Sequence, residues 1–180
     1  MSAKEILTEY YRKQDRKHMN QQAREFLDAW LSNMSSEIQH WCERYMSETL
    51  TPDYSFQSLE ALEREILARY ETLEQFDAER TGGFLVGASR YYGETVVRNT
   101  PGRWYYQDIP GRHDSIMRIP MIFPNTPSKY LDHVVPLHAL KLLVRDREIG
   151  LLADTALIIQ DAFDEAESDG RAWPSNLPKP

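Results

Sequence analysis

The chain reads as an α+β domain, mostly a helical bundle, with one antiparallel β-hairpin packed on a Gly-rich central helix. Three observations predict this. The first fifty residues contain neither Gly nor Pro and repeat apolar side chains at helical spacing. A glycine-punctuated apolar run follows at Thr81–Val97 (TGGFLVGASRYYGETVV). From Trp104 the apolar period falls from about 3.6 residues to two, the change that separates helix from strand.

Residues 1–50 form an N-terminal helical arm belonging to the same domain. Leu27, Leu31, Met34, Ile38, Trp41 and Tyr45 recur at spacings of four and three, a heptad-like stripe. Phe26 and Trp30 widen it toward a core-facing bundle helix. Ile6, Leu7, Tyr10 and Tyr11 make a smaller apolar group ahead of the basic patch Arg12, Lys13, Arg16 and Lys17, which has Asp15 inside it. That patch is a solvated helix face or a surface for an acidic partner.

Thr51, Pro52 and Asp53 close the arm and open an α+β core over residues 51–168. Ser55 or Ser58 is placed to cap the next helix, whose buried face is Leu59, Leu62, Ile66, Tyr70 and Leu73. Gly82 and Gly83 interrupt the pattern before a central helix over about Phe84–Val97, which Asn99, Thr100, Pro101 and Gly102 end in a turn. Trp104, Tyr106 and Asp108 then share one face of a strand and Tyr105 and Gln107 the other. Ser115–Phe123 (SIMRIPMIF) reads as the returning strand, with Pro120 marking an edge or an irregular exit. Pro136 suits a helix first turn and leads Leu137, Leu140, Leu143 and Val144. After Gly150 a last helix carries Leu152, Thr155, Ile159, Phe163 and Ala166. Residues 169–180 form a tail that Trp173 and Leu177 can pin to the domain.

Composition narrows the function classes. The length of 180 residues suits one domain. The net charge of −7 repels phosphate backbones and so disfavours nonspecific nucleic-acid binding. No apolar run approaches the roughly 20 residues a bilayer crossing needs, and the N-terminus lacks a signal-peptide apolar core, so a cytoplasmic location is expected. Cys42 is the single cysteine, which rules out an intramolecular disulfide and a cysteine-based zinc site. His133 and His138 are five apart, missing the i, i+4 spacing of a helical metal pair. No metal and no cofactor is expected. Nucleophile-elbow, Walker and dinucleotide patterns are absent, and Gly82-Gly83 lacks the Lys that an anion cradle would add.

The candidate site residues centre on Glu94. On a helix it lies four residues from both Arg90 and Arg98. Three readings follow: an exposed salt-bridge ladder, a structural acceptor for hairpin N–H groups or the Trp104 indole, or a general acid or base beside Asp108 or His113. Gly87 and Gly93 favour the second. Each costs about 1 kcal/mol relative to Ala inside a helix, a loss that close approach by another backbone would offset.

The run Tyr92-Gly93-Glu94, Arg98, Gly102 and Trp104, followed by a hairpin and a proline-led helix at Pro136, resembles a group of small bacterial domains of unknown function with an A-Y-x-G-E helix followed by G-x-W. The resemblance spans about Thr81–Val144, with Ala88 four rather than three positions ahead of Tyr92. It implies an α+β domain in a toxin–immunity or envelope-associated setting. Two functional expectations result. One is a noncatalytic bacterial binding protein, an immunity protein that neutralises a basic toxin by direct contact. The other is a small hydrolase or ligand-binding enzyme using Glu94 with Asp108, His113 or Arg118. Homodimerisation through the N-terminal helix is a further expectation.

Overall fold

The computed structural model of the chain describes residues 2–127 and 132–177. Eight α-helices and one two-stranded antiparallel hairpin follow in the order α1 (Ala3–His18), α2 (Gln21–Ser32), α3 (Met34–Trp41), α4 (Leu59–Arg69), α5 (Leu73–Glu79), α6 (Gly83–Asn99), β1 (Gly102–Tyr105), β2 (Met121–Pro124), α7 (Pro136–Asp146) and α8 (Leu151–Ser168). The α+β architecture expected from the sequence is the one observed. Its organising element is α6, where Leu85, Ala88, Tyr91, Tyr92 and Val96 are wholly enclosed. In contact with α6 are α3 and α7 and both strands.

The first fifty residues are not one helix. Ser2 starts α1 with a reciprocal capping box to Glu5, and Asn20 starts α2 by accepting the Ala23 N–H. Polar side chains of this kind supply a helix start that apolar periodicity alone does not reveal. At Asn33 the chain bends while i→i+4 bonding continues, so the apolar stripe runs on from α2 into α3. Leu27, Trp30, Met34, Ile38 and Trp41 from that stripe are buried in the chain's own core, whereas Leu31 and Tyr45 are only half-buried. A π-helical turn at Cys42–Met46 then ends the arm.

Two further expectations need correction. Neither Ser55 nor Ser58 caps α4. Instead Ser58 Oγ lies 2.6 Å from the Tyr91 hydroxyl, and Ser55 Oγ accepts the Ser58 N–H. The apolar face Leu59–Leu73 is also split. Tyr70 is extended, and Thr72 with Gln75 forms a capping box that starts the separate helix α5.

The returning strand is shorter than Ser115–Phe123. Only Met121–Pro124 pairs with β1, with Trp104 opposite Ile122 and Arg103 opposite Phe123. Pro120 has no N–H to donate, and ladder pairing begins just after it. Gly111 and Arg118 adopt left-handed backbone in the irregular connection ahead of it. On its other edge β2 bridges Val134, whose N–H donates to Ile122 O at 3.0 Å.

Charged side chains fasten the helix ends. Glu63 is fully buried, and its two oxygens accept the Gly150 and Leu152 N–H groups at 2.7 and 2.8 Å, holding the α8 N-terminus. Arg147 donates to the Leu67 and Tyr70 carbonyls at the end of α4. At the far end of α8, the Arg171 and Gly170 N–H groups donate to Ala166 O and Glu167 O, a Schellman turn with Gly170 left-handed. The tail continues with Ala172 buried and the Trp173 indole donating to Leu177 O. No helix is long and apolar enough to cross a membrane among the described residues.

Candidate functional site

Two indoles set the geometry around α6. A methyl group added at Gly87 would lie 2.1 Å from the Trp41 ring, and one added at Gly93 would lie 2.1 Å from the Trp104 ring. Both distances are far inside van der Waals contact. The close approach that the two glycines permit therefore comes from tryptophan side chains, not from another backbone as expected. Trp41 is further held by its indole N–H donating to Phe84 O at 2.9 Å.

Glu94 holds the second indole. Its Oε2 accepts the Trp104 N–H at 3.2 Å and its Oε1 accepts Arg98 Nε at 3.3 Å. Arg98 lies 3.6 Å over the Tyr54 ring, and Lys4 donates to the Arg98 carbonyl. Only half of the expected ladder forms, because Arg90 turns the other way. Its guanidinium lies 3.6 Å over the Trp30 ring and donates to Trp30 O at 2.9 Å, so it clamps α2 to α6. Burial lowers the Arg90 pKa, with nearby Glu37 opposing the shift.

The other candidates stand apart from Glu94. Asp108 accepts from Arg118 Nε at 2.8 Å, and its carbonyl accepts from Asn20. His113 is exposed on the connection between the strands. Asp108 and His113 thus belong to the hairpin connection, while both Glu94 oxygens are engaged at the base of β1.

What these residues frame is a cavity of about 720 Å³ with Trp30 and Trp104 in its wall. That volume is in the ordinary range for small-molecule sites. Phe26 and Trp30 come from α2, Val86 and Ser89 from α6, Met117–Pro120 from the hairpin connection, and Pro136, Leu137, His138 and Lys141 from α7. Trp30 stacks on Phe26 and meets Trp104 edge-on at 5.6 Å. Two polar atoms of its lining residues, Ser89 Oγ and Trp30 Nε1, are buried beneath the cavity surface without a hydrogen-bond partner among the described residues. Asp77 and Lys141 pair across one side at 2.7 Å. Burial, then Lys141 and His133, push the His138 pKa below its ordinary value and favour the neutral imidazole. Of the candidates read from the sequence, Trp104 and Arg118 line this cavity, while Arg90 and Glu94 hold its two indoles in place.

A second groove of about 540 Å³ runs between α1, the outer face of the hairpin and the tail. Arg103 is its buried centre, bonded to both Asp15 oxygens at 2.6 and 2.8 Å and to Pro124 O. Asp15 therefore leaves the solvated face assigned to its basic neighbours, and Arg16 binds Asp28 of α2. No group of three or more His, Cys, Asp or Glu side chains is arranged to hold a metal among the described residues.

Sequence reasoning missed Ser89, Trp30 as a cavity wall, and the Asp15–Arg103 pair. For Ser89 a signal existed: with Thr95 it is one of two small hydroxyl residues set among the apolar positions of the glycine-rich helix. Comparison of the chain with protein-family models, with curated proteins and with solved structures finds no match.

Proposed function

We propose that this chain is a binding protein whose working site is the cavity between Trp30, Trp104 and the first turn of α7. The observation that carries this reading is the cavity itself, about 720 Å³ with Phe26, Trp30, Phe76 and Trp104 in a wall that also holds polar and charged side chains. A concave site of this size that combines aromatic side chains with a few polar groups is the usual setting for a small-molecule ligand. Glu94 in this reading is a positioning residue that holds Trp104, not a reactive group. The setting proposed is the cytoplasm, where a lone thiol such as Cys42 stays reduced.

A neutral naphthalene fluorophore tests the reading. It should bind the full chain with a blue-shifted emission and one-to-one stoichiometry. Ser89→Leu fills the cavity and should abolish the signal while the fold persists by circular dichroism. Fluorophore binding that survives Ser89→Leu would refute the assignment.

A protein partner is a second reading, favoured by the outer face of α8. Asp154, Leu157, Ile158 and Asp161 lie on one stripe, with Leu157 44% and Ile158 38% exposed between the two carboxylates. An apolar centre with an acidic rim fits a basic protein, as in the toxin–immunity setting that the Tyr92-Gly93-Glu94…Trp104 resemblance implies. Charge reversal at Asp154 and Asp161 should remove a stoichiometric partner from a host-cell pull-down. A partner retained by that variant would count against this face.

A further inference from the structure

Resting on the protein-partner reading above, we infer that the outer face of α8 receives a basic amphipathic helix of another protein. The partner's apolar side chains lie on Leu157 and Ile158, and its Lys or Arg residues meet the flanking carboxylates. Charge is concentrated on this helix. It holds five carboxylates, Asp154, Asp161, Asp164, Glu165 and Glu167, and no Lys, Arg or His, in a chain of net charge −7. Other helices pair their acids with bases, as in Glu65 with Arg69, Glu94 with Arg98 and Asp77 with Lys141. None of the five α8 carboxylates has an ion-pair partner among the described residues, and Asp164 accepts only from the neutral Gln160 amide.

This arrangement costs the free helix stability. Asp161 lies three residues from Asp164 and four from Glu165, and Asp164 lies three from Glu167. Like charges at those separations repel one another on a helix. Glu165 and Glu167 also stand in the last turn, at the negative end of the helix dipole, where no basic side chain offsets them. A cationic partner relieves both penalties.

The same face carries exposed apolar surface. Leu152, Ala156, Ile159, Ala162 and Ala166 bury the inner face of α8 in the chain's own fold. Asp154, Leu157, Ile158, Asp161 and Glu165 share the outer one, at spacings that keep them in a single stripe. With Ile149 in the turn before α8, Leu157 and Ile158 are three of the five exposed large hydrophobics among the described residues. From Asp154 to Glu165 the stripe runs about 16 Å, three turns, which suits a helix laid along it. A second copy would set carboxylates against carboxylates. A metal ion needs several carboxylates converging on one point, and no such group occurs among the described residues.

Two peptides of about 14 residues, four helical turns, test this. One has Leu and Lys at amphipathic spacing, and the other has the same composition shuffled off that spacing. Titrated calorimetrically into the full chain, the amphipathic peptide should bind about tenfold tighter than the shuffled one. Leu157→Ser with Ile158→Ser, and separately Asp161→Asn with Glu165→Gln, should each weaken it about tenfold. Glu48→Gln with Glu71→Gln removes the same charge from exposed positions elsewhere and should leave binding unchanged. Asp161→Asn with Glu165→Gln should also raise the Tm of the free chain by about 2 °C. Equal binding of the two peptides, lost for both in the α8 variants, overturns the helical partner while the protein-partner reading of this face stands. Absence of binding, or binding that the α8 variants do not weaken, overturns both. A Tm that does not rise overturns the self-repulsion that calls for a cation. A dimer of the free chain that Leu157→Ser with Ile158→Ser dissolves, read by light scattering, assigns the face to a second copy and overturns the inference.

Discussion

Gly93→Ala provides a quantitative test of how Trp104 seats on α6. In an exposed helix interior this change would stabilise by about 1 kcal/mol, because Ala is the better helix former. Here the new methyl would lie 2.1 Å from Cη2 and 2.5 Å from Cζ2 of Trp104, and 3.1 Å from Pro136 Cγ. An ordinary carbon–carbon contact is about 3.5 Å, so the ring must retreat by roughly 1.5 Å. Trp104 is 1% exposed, meets Trp30 edge-on and donates to Glu94, so retreat disturbs packing and strains a hydrogen bond together. Overpacking of this kind costs about 3 kcal/mol, which leaves a net destabilisation of about 2 kcal/mol after the helix gain. In a Trp104→Leu background the obstructing ring is gone. Gly93→Ala should then stabilise by about 0.5 kcal/mol, the remainder of the helix gain being lost to Pro136. Urea unfolding followed by far-ultraviolet circular dichroism reads both numbers from the midpoint, with the slope unchanged. A coupling energy of about 2.5 kcal/mol, the difference between the two backgrounds, and a reversal of sign are expected. Equal destabilisation in the two backgrounds would show that something other than the indole excludes a side chain at this position.

Four other perturbations follow from the same contacts. Asp15→Asn leaves the buried Arg103 guanidinium without its counter-charge and should cost about 3 kcal/mol in urea unfolding, against less than about 1 for Asp28→Asn at the exposed Arg16 pair. Glu94→Ala orphans the buried Trp104 N–H and should cost about 2 kcal/mol, most of which Glu94→Gln restores by keeping an acceptor. Ser89→Leu should raise the urea midpoint, by about 1 kcal/mol in stability, because it removes an orphaned hydroxyl and fills apolar space. Glu63 gives a pH dependence. Burial is the largest influence and raises its folded pKa, the Gly150 and Leu152 N–H groups lower it, and Glu60 and Asp154 raise it again. The native state therefore holds that proton to higher pH than the unfolded chain. The associated stability is complete below the ordinary glutamate range and falls as pH rises through the raised value. Thermal melts across the acid limb should show this decline, and Glu63→Gln should flatten it.

Part of the site was readable because its residues are close in sequence. Glu94 and Trp104 are ten apart across one turn, and two glycines on the helix between Trp41 and Trp104 announce close packing before any fold is known. The identity of what packs there was not readable, because Trp41 reaches Gly87 from 46 residues away in the chain. Arg90 shows the same limit. Its spacing to Glu94 permits an ion pair, but the face of Trp30 on α2 offers a buried stacking surface that a helix-local rule does not include.

By itself the amino-acid order determined the helices of α6, α7 and α8, the hairpin after Gly102 and the acceptor role open to Glu94. Periodicity, proline and capping chemistry act on neighbouring backbone, where sterics and hydrogen bonding are local. The tertiary structure alone decided that Arg103 is neutralised by Asp15, that Glu63 serves α8, and that Ser89, Trp30 and Arg80 face one cavity. Those three side chains come from α6, α2 and the turn after α5, and no spacing rule relates them. Their juxtaposition follows from which apolar faces bury against one another, a property of the whole chain's packing.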